Sequence, residues 1–358
     1  MIFLIDRLRE IIEHLDKKFE KSKFRPAWST ISTFFFSLKT VTPLSGPHIR
    51  DNTDLKRYMS VVMAAAVPTV LASIYFFGWR CLALVILSYV IGIIIELGFA
   101  IANDEEVTEG MFVTCILYPM ILPPTIPFWM AAVGIAVGII LGKEIFGGTG
   151  KNIFNPAIVG RTFIAVTFPV QMSSLWAPPF KGGLGGFVHW TQSADVITSA
   201  TPLSNFKNGV PDNLLDMLLG STSGSMGETS AIIIIVFGML LVMTRIANWR
   251  LPFATITSAM ILASIMHIVH PEQFATPVYH LLGGGLLFGA FFMVTDPVSA
   301  PFTSQGKWMY GILIGIVVIV IRNLSGFAEG MMFAILLMNM FAPVIDDAVL
   351  AIKYGRGK

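Results

Sequence analysis

The sequence predicts an all-α polytopic membrane protein of about ten transmembrane helices, arranged as two inverted five-helix repeats with interrupted helices. Three observations predict it. Of 358 residues, 54% are hydrophobic and only 13% charged, with a mean hydropathy of +0.74. A soluble domain carries about a quarter charged residues, so this chain lacks the polar surface to coat a globule and lipid must act as its solvent. Apolar runs of spanning length follow one another along most of the chain, and its two halves share the order of several distinctive residues.

Residues 1–57 form a polar N-terminal segment that opens on the amphipathic pattern "IDRLREIIEHLDKKFEK". Its charges exclude the apolar core of a cleavable signal peptide. Spans are expected at about 59–77, 81–101, 110–123, 127–142 and 155–170, a first membrane repeat over 58–170. A spanning helix needs roughly 17–25 apolar residues, so the shorter runs predict tilted or broken helices. Residues 171–228 are a Gly-, Pro- and Ser-rich loop, far longer than the usual connection and therefore a place to look for function. The second repeat, 229–347, carries spans at about 230–246, 251–269, 280–295, 308–322 and 329–347, followed by a basic tail, 348–358.

Orientation follows from the positive-inside rule. The N-terminal segment is rich in Lys and Arg, the short loop "RIANWR" carries Arg245 and Arg250, and the tail reads "KYGRGK". Ten spans put all three on the cytoplasmic side and the 171–228 loop outside. The halves share an order: Thr114, Pro123-Pro124, Trp129 and Gly134-x-x-x-Gly138 against Thr295, Ala300-Pro301, Trp308 and Gly311-x-x-x-Gly315. "NIFNPAIVG" has a looser counterpart in "MNMFAPVID". Inverted repeats place ligands at their interface, on interrupted helices.

Composition excludes several classes. A net charge of +2 without a basic aromatic tract argues against nucleic acid. Cys81 and Cys115, both in apolar runs, supply neither a disulfide framework nor the four thiolates of an iron–sulfur cluster. No Ser-His-Asp arrangement, phosphate-binding loop or His/Cys metal cluster occurs, and no catalytic residue is assigned. His267 and His270, three apart before Pro271, read as interfacial rather than haem ligands.

Charge inside a membrane is costly and usually functional. Glu96 lies deep in "YVIGIIIELGFA" with no neighbouring base; its plain reading is a carboxyl reaching to cytoplasmic water. Asp296 before Pro297 reads as a turn-forming cap, and Asp346 and Asp347 as the end of the last span. In "GGTGKNIFNP", glycines free several N–H groups while Asn152 and Asn155 each offer donor and acceptor together. That suits a uracil-like ring edge or a quinone carbonyl; the competing reading is a tight turn with Asn capping.

The blocks "HIRDNTDLKRYM", "VTEGMFVTCIL…PPTIPFW", "KEIFGGTGKNIFNPAIVGR", "MVTDPVSAPFTSQGKWMYGILIGI" and "EGMMFAILLMNMFAP" together resemble the NqrB/RnfD family. The resemblance covers the chain from about residue 24 onward. It favours the NqrB branch, from the Na+-translocating NADH:quinone oxidoreductase, because RnfD generally lacks a long N-terminal segment.

The resemblance implies a flavin mononucleotide (FMN) joined through its phosphate to the threonine of a Ser-Gly-Ala-Thr-like run. Here that run is Thr198-Ser199-Ala200-Thr201, which makes Thr201 the expected attachment residue in the external loop. Thr198 and Ser199 replace Ser and Gly, and both are competing hydroxyls. A non-covalent riboflavin is implied near Asn152 and Asn155, and a quinone near Gly92, Glu96 and Phe163, although Ile93 and Ala165 replace a glycine and a phenylalanine of the family. Glu96, Asp346 and Asp296 become candidates for the Na+ path. The implied setting is a six-subunit complex in the bacterial inner membrane, with termini cytoplasmic and the FMN loop outside. A second covalent-FMN subunit and an NADH-oxidising subunit are the implied partners, with electrons passing from FMN to riboflavin to quinone. Competing readings are an Rnf-type complex using ferredoxin and a channel or secondary transporter, which would be colourless.

Overall fold

A computed structural model describes residues 55–103, 109–180, 185–191, 200–327 and 329–355. The 1–54 segment and the Thr198-Ser199 pair therefore lie outside the described residues. Among those described, regular structure is helical apart from one isolated bridge between Gly78 and Trp190.

The first half contains α1 (Leu55–Phe77), α2 (Arg80–Asn103), α3 (Gly110–Met120), α4 (Phe128–Gly142), α5 (Pro156–Thr167) and the short α6 (Pro169–Ser174). The connecting loop carries α7 (Pro202–Lys207) and α8 (Leu214–Leu219). The second half contains α9 (Ala231–Met243), α10 (Arg250–Val269), the short α11 (Pro277–Leu282) and α12 (Leu286–Phe288). It closes with α13 (Ser304–Leu324) and α14 (Met331–Tyr354). Among the described residues six helices are long and apolar enough to cross a membrane: α1, α2, α4 with its 3₁₀ extension to Phe146, α10, α13 and α14; α3, α5 and α9 are shorter apolar helices. The expected 280–295 span is broken. After Gly283–Gly285 the chain forms α12 and then a π turn, Gly289–Met293, closed by Val294 N–H donating to Gly289 O (2.8 Å). Large apolar side chains such as Ile94, Phe253, Ile261 and Val344 stay exposed on the outer faces of the long helices, as lipid-facing positions should.

Backbone at a break must find partners inside the protein. After α3 the run Ile121–Pro127 leaves helical geometry, and buried Arg80 meets its carbonyls, donating to Thr125 O (3.3 Å) and Ile126 O (2.9 Å) while lying 4.7 Å over the Phe128 ring. Gly227 N–H donates to Met120 O (2.6 Å) and Met226 N–H to Leu122 O (3.1 Å).

Packing follows a repeated scheme. In the first half α2 packs on α4 and α4 on α5; in the second, α10 packs on α13 and α13 on α14. Across the halves the first helices, α1 and α9, meet each other, as do the last, α5 and α14. The small-residue pairs are used differently. A Cβ on Gly138 would stand 2.5 Å from Pro156 O of α5, whereas one on Gly311 would stand 2.7 Å from Ala254 Cβ of α10. Gly134 follows Trp129 by five residues and Gly311 follows Trp308 by three. Two residues are roughly 200° around a helix, so the pairs face opposite neighbours. Pro156 opens a helix, but its counterpart Pro343 lies inside the continuous α14.

The loop between the halves has its own small core of Leu203, Met217, Ala275 and Tyr279, which joins α7 and α8 to α11. Tyr279 Oη donates to Pro202 O (2.7 Å), and Asp212 N–H donates to Tyr279 Oη (3.3 Å).

Candidate functional site

Two cavities border α5, one near each end, and between them they hold four of the candidate residues: Asn152, Asn155, Asp296 and Thr201. Asn155 starts the helix as its N-cap: its Oδ1 accepts from Ala157 N–H (3.0 Å) and Ile158 N–H (3.4 Å), with Pro156 at the first position, where a missing donor costs nothing. Asn152 closes the preceding turn, accepting from Gly150 N–H (3.2 Å) and donating to Phe154 O (2.9 Å). Gly147, Gly148 and Gly150 all have φ near +90°, the conformation this turn requires. Capping and turn formation are thus real roles for both asparagines.

They also face a cavity whose enclosed volume is about 70 Å³, opening to about 700 Å³ when its mouth and the adjoining open space are counted. Its walls come from both halves. Thr114 and Thr295, matched in the repeat, both line it, and each bonds back to its own i−4 carbonyl: Gly110 O (3.1 Å) and Phe291 O (2.7 Å). Asp296 sits at its rim, where its carboxylate accepts from Val298 N–H (3.2 Å) and Ser299 Oγ (2.8 Å), so the turn reading of Asp296 holds.

Lys143, at the C-terminal end of α4, lines the same cavity and pairs with Glu96; each side chain is 4% exposed. Glu96 therefore does not reach water as its plain reading expects. Its base is 47 residues away in sequence. Gly92, one turn earlier on α2, faces inward, where a Cβ would collide with Cys115. Phe163 is half-buried against the core and, like Gly92 and Glu96, lines neither cavity.

The second cavity, about 1,110 Å³ with its mouth, contains Thr201. Thr201 caps α7, its Oγ1 accepting from Ser204 N–H (3.4 Å), and it is half-buried. Arg161 and Ala165 of α5 line this cavity, together with Glu228 and Glu329. Glu329 accepts from Arg322 Nη2 (3.2 Å) and from the N–H groups of Gly285 (2.7 Å), Gly330 (3.0 Å) and Met331 (3.0 Å). Gly284, at φ +65°, lets Arg322 and Glu329 close on the backbone. Arg322 is 1% exposed and also donates to His280 O (2.6 Å).

Sequence reasoning misses Lys143 and Arg322, yet a signal exists. Each lies fourteen residues after its half's tryptophan, Trp129 or Trp308, and each is buried near its helix's C-terminal end with a glutamate partner. A cation is favoured there by the helix dipole. Arg161, Glu228 and Glu329 carry no comparable signal.

The three carboxylates considered for a cation path are not gathered. Asp346 accepts from Phe302 N–H (2.6 Å), Thr303 N–H (3.0 Å) and Thr303 Oγ1 (2.5 Å), fixing the start of α13. Among the described residues no group of three or more His, Cys, Asp or Glu could hold a metal ion. His267 and His270 end α10, with His267 Nδ1 2.7 Å from Phe274 O and His270 exposed.

Known proteins share this chain's sequence over nearly its whole length. The family described as "NQR2, RnfD, RnfE family" matches residues 42–355. The chain is 36% identical to the B-subunit of the Na(+)-translocating NADH-quinone reductase of Pseudomonas paraeruginosa, with 96% of each chain covered. It is 34% identical to the protein of that name from Klebsiella pneumoniae subsp. pneumoniae, over 98% of this chain and 99% of that one. The Yersinia pestis protein is also 34% identical, over 98% of each.

Proposed function

The chain belongs to the NQR2, RnfD, RnfE family, and on that membership we propose that it is a membrane subunit of a Na+-pumping NADH:quinone oxidoreductase, a translocase of the bacterial inner membrane. The near-complete coverage of the NADH-quinone reductase relatives supports the NqrB branch of the family over RnfD.

The finer reading is that Thr201 carries FMN through a phosphoester and that riboflavin occupies the cavity at Asn152 and Asn155. The observation that carries it is the shared helix. Pro156 borders the Asn-Pro cavity and Arg161 borders the Thr201 cavity. Five residues separate them, about 7 Å of helix rise. Bound flavins would supply stepwise electron transfer, since redox chemistry belongs to the cofactor. The residues of this chain hold, orient and enclose them. Half-buried Thr201 presents a hydroxyl to an open cavity, as a phosphoester requires. Asn155 spends its carbonyl on the cap and keeps its NH₂ group for a ring acceptor. Lys143, fixed by Glu96, supplies a positive charge to the riboflavin wall.

The matched packing of the halves, and the meeting of α1 with α9 and α5 with α14, supports two inverted repeats related by a pseudo-two-fold axis. With that topology both termini are cytoplasmic, Thr201 faces outward and the Asn-Pro block inward. The quinone is placed near Gly92, Glu96 and Phe163 at the cytoplasmic side, and Na+ passage near Glu96, Asp296 and Asp346, on family resemblance. The partners are the other subunits of the complex, including the NADH-oxidising one and a second FMN carrier.

Mass spectrometry of the denatured chain, with peptide mapping across 181–228, tests the core of this reading. An added mass of FMN minus water on the Thr201 peptide, lost in Thr201→Ala, is the expected result. An unmodified peptide after expression with the maturation enzyme removes the electron-carrier role.

A further inference from the structure

The Thr201 cavity holds a buried guanidinium near two carboxyls but bonded to neither among the described residues. Arg161 is 5% exposed, it reaches the cavity from the middle of α5, and its Nε has no hydrogen-bond partner. The two carboxyls on the same wall are differently disposed. Glu329 is committed to Arg322 and three backbone N–H groups. Burial pushes its carboxyl up, but Arg322 and Arg161, with the N–H donors, pull it below the usual range. Glu228, in the loop before α9, is pushed above that range by burial first and by Glu329 second, while Arg161 and Ser225 pull the other way. Glu329 thus serves Arg322 and the backbone, and among the described residues no hydrogen bond ties the Arg161 guanidinium to either carboxyl, so it faces open space. A buried guanidinium in that state is costly until an anionic partner completes it.

The chemistry of that partner can be narrowed. Arg offers a rigid planar fork of donors suited to a planar acceptor edge. The rest of the lining is mostly apolar, with Ala165, Met172, Leu203 and Met332, although Ser173 and Ser204 also reach it. Such walls suit a flat aromatic ring. A flavin ring that takes up two electrons and one proton carries one negative charge, spread over N1 and the C2 carbonyl. Resting on the Thr201 reading and deepening it, we infer that Arg161 is the counter-charge of the flavin on Thr201. The ring lies in this cavity with its N1–C2=O edge against the guanidinium, which stabilises the reduced ring and raises its reduction potential.

The test is a spectroelectrochemical titration of the Thr201 flavin in the purified complex, with dithionite as reductant and the Thr201→Ala complex subtracted. Arg161→Gln should weaken the preference for the reduced ring at least ten-fold, a shift of about −30 mV for a two-electron couple. Arg161→Lys, which keeps the charge, should recover most of it. Glu329→Gln, which removes the opposing charge, should move the potential upward. An unchanged potential in Arg161→Gln, or a shift of the same sign in Arg161→Gln and Glu329→Gln, overturns the inference. If Arg161→Gln does not assemble, Glu329→Gln decides: an upward shift supports the inference and no shift overturns it. Peptide mapping separates the two levels. FMN present on Thr201 with an unmoved potential sinks the inference alone, whereas its absence from the wild-type peptide removes the Thr201 reading and the inference together.

Discussion

Lys143 and Glu96 form a buried ion pair beside the Asn-Pro cavity, joining the end of α4 to the inner face of α2. The pair links a residue expected at the quinone site to the wall of the proposed riboflavin site. Removing one partner of such a pair leaves an uncompensated buried charge, which costs about 3–5 kcal/mol. Lys143→Met and Glu96→Leu should each lower the thermal stability of the complex sharply, and the double variant should recover most of it. Additive losses would show that the two side chains do not depend on each other. Glu96→Gln, which keeps shape and some hydrogen bonding, should slow Na+-dependent quinone reduction. Unchanged turnover and sodium response would remove Glu96 from the mechanism.

Asn155 allows cap and ligand to be separated. Asn155→Ala removes the cap and should cost about 1 kcal/mol. Asn155→Asp keeps an oxygen for Ala157 and Ile158 but loses the NH₂ donor. The alanine variant should lose both stability and riboflavin, and the aspartate variant riboflavin alone, read by flavin extraction and chromatography. Full riboflavin content in Asn155→Asp would place the ligand elsewhere.

Gly284 sits at φ +65°, and a Cβ there would stand 2.8 Å from Arg322 Nη2. Gly284→Ala meets both backbone strain and a crowded ion pair, so yield of assembled complex should fall several-fold. Gly326→Ala is the control, because nothing lies within 4 Å of its added methyl. Equal yields from the two variants would show that the Gly283–Gly285 run has room to spare.

Glu228 sets a pH dependence whose sign follows from its raised pKa. Between the unfolded-state value and the higher folded one, the folded chain binds more protons than the unfolded chain. Stability from this group is therefore full below the unfolded value and declines as pH rises through the folded one. Glu228→Gln should flatten that decline in thermal inactivation of the complex measured from about pH 4.5 upward, near the ordinary glutamate value. A slope identical to wild type would mean that Glu228 does not hold a proton in the fold.

The six long helices were legible in the chain because membrane crossing is a local demand. A run of roughly 17–25 apolar residues satisfies it whatever the neighbours are. The breaks were legible for the same reason: Pro123-Pro124, the GGTG turn and Asp296-Pro297 act on their own backbone, and each falls outside helix in the structure. The capping role of Asn155 and the turn role of Asp296 are local too, and both appear as hydrogen bonds within three residues. The 280–295 run misled on continuity, because its composition is apolar throughout while Gly283–Gly285 bends to admit Arg322 and Glu329.

What the sequence by itself determined about this protein is thus the solvent it lives in, the positions of its six long apolar helices among the described residues, and through quoted blocks its family. The tertiary structure alone decided which charges meet. Glu96 finds Lys143 across 47 residues, and Arg161 of α5 and Thr201 of the loop arrive at one cavity. The Trp-to-cation spacing of fourteen marks where Lys143 and Arg322 lie, but not which carboxylate each takes. The physical reason is that periodicity and length govern a helix against lipid, one segment at a time. Pairing buried charges depends on the facing surfaces of segments far apart in the chain, and a two-residue difference in spacing turns a helix roughly 200° toward another neighbour.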